Sequence, residues 1–132
     1  MAKFSADENM DAMLDNIKTT ATRLCVCSAQ PATYAEATTT YDGGASKYKL
    51  AIKTITSTDF TGPADGDSSG RKLTVNEAAG VTVDASASAT YIALCDSVAE
   101  VVLYATTCTS QALTSGNTVT VPAWIIEVAD PT

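Results

Sequence analysis

The chain has 132 residues, of which 45% are hydrophobic and 6% aromatic, and it contains no histidine. Residues 1–72 carry 8 Lys or Arg and 9 Asp or Glu, a net charge of −1, whereas residues 73–132 carry 6 acids and no Lys or Arg, a net charge of −6. An acidic surface repels phosphate, which argues against nucleic-acid binding, and without an apolar run of about 18 residues the sequence predicts no membrane span. The charge asymmetry has two interpretations: the nearly neutral half lies against a partner, or the acidity only supports solubility.

The first predicted element is an amphipathic helix within an N-terminal helical arm, residues 1–20. Its apolar side chains have the i, i+3, i+4, i+7 spacing of one helical stripe. They are Met10, Met13, Leu14 and Ile17. Ser5 and Glu8 fit a capping box at the start of the helix. The stripe has two interpretations: it covers one end of the β-fold, or, together with Phe4, it docks on a neighbouring subunit. The docking interpretation predicts that a chain lacking residues 1–17 still folds.

A strand is predicted at residues 22–28, where Leu24 and Val26 share one face. Two of the four cysteines point to the other face of this strand. The four are Cys25, Cys27, Cys95 and Cys108. Buried, reduced thiols fit synthesis in the cytoplasm. The alternatives are a zinc site, which lacks the usual C-x₂₋₄-C spacing, and a disulfide formed late in an extracellular particle.

Residues 32–37 predict a short helical turn, and residues 47–56 predict a strand with strict alternation. One face of this strand is apolar, and the other face carries a row of lysines. The row consists of Lys47, Lys49 and Lys53. Lysines on an outer strand face discourage edge-to-edge aggregation, and this row is also a candidate contact with a partner.

The second half of the chain predicts short strands separated by polar turns. The longest polar loop, residues 57–70, precedes strands at residues 71–76 and 80–84, and three longer apolar runs follow. Pro122 interrupts the last run, which predicts a bulge or a sheet edge at this point. The only tryptophan, Trp124, comes two residues later and serves either as a core anchor or as an interface anchor.

These elements, seven or so short strands after one helix, predict a mainly β fold. We expect an antiparallel β-sandwich with one N-terminal α-helix. Residues 1–132 are predicted to form a single domain, in which residues 21–132 make the sandwich.

Two motifs in the polar loop have catalytic or metal-binding alternatives. Residues 66–70 match G-x-S-x-G, the nucleophile elbow of hydrolases, but the chain has no histidine to act as its base. Asp65, Asp67 and Ser69 have the spacing of the first ligands of a calcium loop, without the glutamate needed at position 12. We interpret the first motif as a flexible polar loop and the second as a solvated loop tip, and therefore expect neither enzymatic activity nor a cofactor.

Three segments resemble a family of small structural proteins encoded by tailed bacteriophages and prophages. The segments are GRKLTVN at residues 70–76, LYATTCTSQ at residues 103–111 and GNTVTVPAWIIEVADP at residues 116–131. They lie in this order within residues 61–96 and 103–132. The stretch LDNIKTTATRLCVCSAQPATYAEA, residues 14–37, is similar as well, so the resemblance covers nearly the whole chain.

The resemblance implies a virion protein that is assembled in the cytoplasm of the bacterial host. In particular it implies a capsid decoration (cement) protein that binds the major capsid protein and stabilises the head shell. Such proteins commonly form trimers, so the resemblance also implies a homo-oligomer. We expect the nearly neutral, helix-bearing half of the chain to face the capsid. One alternative is a small tail, neck, collar or fibre-adaptor subunit. Another is a receptor- or glycan-binding module, although the scarcity of aromatic residues argues against it.

Overall fold

The computed structural model describes residues 4–131, which fold into two α-helices, one 3₁₀ turn and nine β-strands. The helical elements are α1 (Asp7–Thr20), α2 (Tyr34–Thr38) and the 3₁₀ turn Ser57–Asp59. The strands are β1 (Arg23–Cys27), β2 (Lys49–Thr54), β3 (Phe60–Asp65), β4 (Arg71–Val75), β5 (Ala78–Thr82), β6 (Ala87–Asp96), β7 (Val101–Leu113), β8 (Thr118–Val121) and β9 (Trp124–Val128). Neither helix in this part of the chain combines the length and the apolarity that crossing a bilayer requires.

Three antiparallel sheets make up the β-fold. The large sheet has the strand order β2-β1-β6-β7, the three-stranded sheet has the order β3-β4-β9, and the two-stranded sheet pairs β5 with β8. Every strand pair within these sheets is antiparallel. The predicted mainly β architecture, antiparallel with one long N-terminal helix, is therefore confirmed.

The main hydrophobic core contains side chains from all three sheets and from α1. Leu24 and Val26 of β1 belong to this core, whereas Cys25 and Cys27 belong to a second cluster on the opposite face of the large sheet. The predicted division of β1 into two faces is thus confirmed. Helix α2 covers the second cluster and contributes the fully buried Ala37.

Helix α1 packs against β3 and β4 and buries most of its apolar stripe. Leu14 is 0% exposed, and Met10 and Ile17 are also buried. The docking interpretation is corrected for these three residues, because they lie inside their own chain; Met13 alone of the stripe remains half exposed. The expectation that a chain lacking residues 1–17 still folds is corrected for the same reason, since the deletion would remove core side chains. The first three residues of the arm lie outside the described part of the chain.

The capping box predicted from Ser5 and Glu8 does not form. Ala6 is the N-cap residue of α1, and no side chain caps this end of the helix. A capping box occurs instead at α2, where the Glu36 backbone N–H donates to Thr33 Oγ1 (3.2 Å) and the Thr33 backbone N–H donates to Glu36 Oε1 (3.1 Å). The short α2 is therefore fixed at its start by two reciprocal hydrogen bonds.

Strand β2 does not keep the predicted alternation, because its register with β1 shifts. Val26 pairs with Ala51 and Cys27 pairs with Lys49, which leaves Leu50 as an extra residue. Such a bulge turns neighbouring side chains toward the same face. Leu50 and Ala51 are both fully buried in the main core, so the face assigned to the lysine row is in fact a partly buried face.

The second half of the chain departs from the prediction at two points. Residues 57–70 do not form one loop: they contain the 3₁₀ turn and β3, whose Phe60 is buried in the main core. Pro122 lies between β8 and β9, which are edge strands of different sheets, so the sheet-edge alternative is confirmed and the bulge is not. Because the chain changes sheets at this point, Val121 and Ile126 both face the core despite their opposite parity.

Candidate interaction surfaces

The loop between β3 and β4 holds the residues considered as a calcium site, but its carboxylates are paired with cations of the same chain. Asp65 accepts a hydrogen bond from Arg71 Nη1 (2.6 Å), and Asp67 accepts one from Lys72 Nζ (2.5 Å). Ser69 Oγ accepts a backbone N–H from the C-terminal segment. Within residues 4–131 no group of three or more His, Cys, Asp or Glu side chains is arranged to hold a metal ion. The three residues are therefore contacts within and beside the hairpin, and the two carboxylates are paired with cations of the same chain.

The same loop explains both glycines of the G-x-S-x-G motif. The Gly66 N–H donates to the Gly70 carbonyl (2.9 Å) and closes the hairpin. A Cβ atom on Gly66 would overlap the Ser69 carbonyl oxygen, and a Cβ atom on Gly70, whose φ is +67°, would overlap the Val128 carbonyl oxygen. Glycine is required here by close backbone approach. Ser68 lies on a turn between two strands, without the strand-to-helix geometry of a nucleophile elbow.

Arg71 connects this hairpin to α1. Its guanidinium donates to both carboxylate oxygens of Asp11 (2.8 and 3.2 Å) and to Asp65 (2.6 Å). The hydrogen bonds to Asp11 raise the pKa of Arg71. Farther along the helix, Lys18 Nζ donates to the Gly62 carbonyl of β3 (2.8 Å). Polar contacts at two points of α1 therefore hold the helix on the β3–β4 hairpin.

The three lysines proposed as a contact row are each paired with an aspartate. The distances between Nζ and the carboxylate oxygen are 2.7 Å for Lys47–Asp42, 3.1 Å for Lys49–Asp84 and 3.7 Å for Lys53–Asp59. The hydrogen bond from Lys47 lowers the pKa of the Asp42 carboxyl. The Lys49 side chain is only 14% exposed. The charges of these lysines are therefore matched within the chain, and their contact with a partner stays a prediction.

The second cluster places three cysteines between the large sheet and α2. Cys25, Cys27 and Cys95 are each 0% exposed, and Cys108 of β7 is half-buried. All four are free thiols. Burial raises the pKa of Cys27 to about 12, and hydrogen bonding to Cys95 together with burial raises the pKa of Cys25. These two thiols therefore stay protonated at neutral pH, as expected for small buried hydrophobic groups.

We predict that, at concentrations where the folded protein is monomeric, Cys108 reacts with the thiol reagent DTNB well before the other three cysteines. The reagent needs access to the sulfur, and the three fully buried thiols become accessible only when the protein opens. The measurement is the number of thiols that react rapidly: one in the native state and all four in denaturant. Cys108→Ser should remove the rapid phase. Rapid reaction of two or more thiols in the native protein would contradict the burial described above.

An open groove separates β7 from the edge strands β8 and β9, and we refer to it as the β7 groove. Its volume is about 470 Å³, and its walls include Thr106, Cys108, Leu113, Val119, Val121 and Trp124. The Trp124 ring stacks on Tyr104 with a centroid distance of 5.9 Å. Among the described residues, the buried Nε1 of Trp124 has no hydrogen-bond partner. Stacking and apolar packing against the core therefore hold this indole. Trp124 contacts the main core on one side and lines the β7 groove on the other.

A few large apolar side chains are exposed outside the two clusters. They are Phe4 (90%), Val98 (88%), Met13 (51%), Val101 (43%) and Ile125 (39%). Phe4 and Met13 belong to the α1 region, whereas Ile125 lines the β7 groove. The fold thus presents two apolar surfaces at which a partner could be bound.

The sequence identified Trp124 as a possible anchor but did not predict the groove around it. One signal was available: residues 101–126 contain no charged residue. This stretch includes all of β7 and β8 and the beginning of β9, the three edge strands that line the groove. A long charge-free stretch in an acidic half of the chain could therefore have pointed to this surface.

Comparisons with protein families, with curated proteins and with solved structures find no match for this chain.

Proposed function

We propose that this chain is a structural protein of a tailed-bacteriophage virion, and in particular a decoration protein that binds the major capsid protein and stabilises the head shell. The observation that carries the proposal is the resemblance of residues 61–96 and 103–132 to segments that recur, in the same order, in small phage virion proteins. A β-rich fold with apolar surface at two places suits a protein that acts by binding.

The polar side chains that could take part in catalysis support a role in binding instead. The chain has no histidine, and Ser68 occupies a hairpin turn. The carboxylates of that hairpin are paired with Arg71 and Lys72, so they are not poised as acid and base catalysts. We infer that the protein is not an enzyme.

The surface proposed to meet the capsid is the exposed side of the α1 region, with Phe4 and Met13. Residues 1–72 have a net charge of only −1, so an approach of this half costs less electrostatic repulsion than an approach of the acidic half. Phe4 is 90% exposed, and a large aromatic side chain is the type of residue that dominates binding energy when a partner buries it.

We predict that the purified protein binds phage heads assembled without this chain. Phe4→Ser should weaken this binding by about tenfold or more, because the aromatic anchor is lost. Co-sedimentation with heads from a phage strain deleted for this chain measures the affinity. Val98→Ser is the matched control. Val98 is 88% exposed, but it lies in the β6–β7 turn, which contacts Thr22 beyond the C-terminal end of α1, whereas Phe4 precedes the N-terminal end of this helix. This control should bind as the unmodified protein does.

Two outcomes separate the surface from the function. Equal binding by Phe4→Ser and Val98→Ser would mean that the α1 region is not the contact. Failure of the unmodified protein to bind heads, or to raise the temperature at which heads rupture, would contradict the proposed decoration role itself.

A further inference from the structure

In the described part of the chain, strand β7 is a long edge strand without lysine, proline or a covering strand on its free side. It has 13 residues, Val101–Leu113, and pairs with β6 on one side, while no strand of the described chain pairs with its other side. It contains no charged residue and no proline. Proteins normally protect free strand edges with lysine, proline, bulges or covering segments, since an open edge pairs readily with another chain.

The edges formed by β2 and β3 are protected, which makes β7 different from them. The edge formed by β2 carries lysines and is bridged by Thr40, which pairs with Lys49. The edge formed by β3 contains Gly62 and Pro63, where its register with β4 is interrupted. Strand β7 has two register shifts against β6, but residues 104–107 between them pair regularly.

The free edge of β7 is continuous with the β7 groove. Edge strands β8 and β9 form the opposite wall of this groove, and neither pairs with β7. The apolar side chain of Ile125 is exposed in the groove wall, and Val101 is exposed at the start of β7, outside the groove lining. An extended strand of 13 residues measures about 44 Å, which is long enough to contribute to an interface of standard size.

We propose that the β7 edge and the β7 groove form the contact between two copies of this chain. This inference rests on the proposed function in one respect, that a decoration protein acts as a homo-oligomer. The charge distribution selects a second copy as the occupant. The chain has a net charge of −7, yet residues 101–126 are uncharged, so two copies meet at this surface without opposing carboxylates. A basic partner would instead be recognised by acidic side chains, and this stretch has none.

The test introduces a positive charge at the edge and measures self-association. Thr107 is exposed on β7, and Thr54 is exposed on β2, the opposite edge strand of the same sheet. We expect the unmodified protein to sediment as an oligomer, Thr107→Lys to raise the dissociation constant at least about tenfold, and Thr54→Lys to leave it unchanged. Ile125→Lys, in the groove wall, should act as Thr107→Lys does. Circular dichroism and thermal melting confirm that each variant is folded.

Fluorescence gives an independent readout, because Trp124 is the only tryptophan. Acrylamide quenching of its emission should fall as the protein concentration rises through the association range, and Thr107→Lys should abolish that change. A monomeric unmodified protein at about 100 µM would overturn the inference. So would equal self-association of Thr107→Lys, Ile125→Lys and Thr54→Lys. Head binding by a monomeric protein would leave the proposed function standing while this inference fails.

Discussion

Replacing Leu14 by alanine is expected to lower the free energy of unfolding by about 2–5 kcal/mol, the largest effect of a single substitution predicted here. Leu14 is 0% exposed and lies in the main core with side chains from the sheets. Removing its branched end leaves a cavity that α1 cannot close, because Arg71 and Lys18 hold the helix at a fixed position on the β3–β4 hairpin. Urea titration followed by circular dichroism measures the change.

Met13 provides the matched control for this substitution. It is adjacent to Leu14 on the same helix, but 51% of it is exposed. Met13→Ala should change the free energy of unfolding by no more than about 0.5 kcal/mol, since alanine is also a good helix former. Equal and small effects at both positions would mean that α1 is a detachable arm, and the assignment of the helix to the core would be wrong.

Replacing Gly70 by alanine is the second substitution with a large expected effect, about 2–4 kcal/mol of lost stability. Gly70 has a φ of +67°, and a Cβ atom on it would overlap the Val128 carbonyl oxygen at the end of β9. The substitution therefore combines backbone strain with displacement of the strand that pairs with β4. The midpoint of urea unfolding should fall in proportion.

Gly116 separates these two contributions. Its φ is +90°, but no atom lies within 4 Å of the position where a Cβ would be. Gly116→Ala should therefore cost only the conformational strain, about 1–2 kcal/mol. Ser68→Ala, in the same hairpin as Gly70, should leave stability unchanged. If Gly70→Ala destabilised the protein no more than Gly116→Ala does, the close approach of β9 to the hairpin would be contradicted. A hydrolytic activity that is lost on Ser68→Ala would contradict the proposal that the protein is not an enzyme.

The periodicity of apolar residues predicted the elements that bury one face and leave a distinct second face. The stripe of α1 and the two faces of β1 were predicted in this way, because a helix of period 3.6 and a strand of period 2 each leave a direct signature in the sequence. The choice between covering the core and docking on a neighbour required the structure. That choice depends on β3 and β4, and β3 lies in a segment that reads as a polar loop with a single large apolar residue, Phe60.

Contacts distant in sequence account for what the patterns did not predict. The alternation in residues 47–56 suggested an exposed lysine row, but the bulge at Leu50 depends on pairing with β1, and the partner of Lys49 is Asp84, far along the chain. The same limit applies to the G-x-S-x-G motif, whose second glycine is explained by Val128. Sequence patterns therefore predict single elements better than surfaces, since a surface is defined by which elements become neighbours.

The measurement that tests the central proposal most directly is the location and copy number of this chain in purified virions of the phage that encodes it. Quantitative mass spectrometry gives the ratio of this chain to the major capsid protein, and reconstruction of the particle gives its position. A decoration protein predicts copies over the outer surface of the head in numbers comparable with those of the capsid protein. About six or twelve copies at the neck or tail would instead identify the tail-subunit alternative, and absence from purified virions would contradict the structural role altogether.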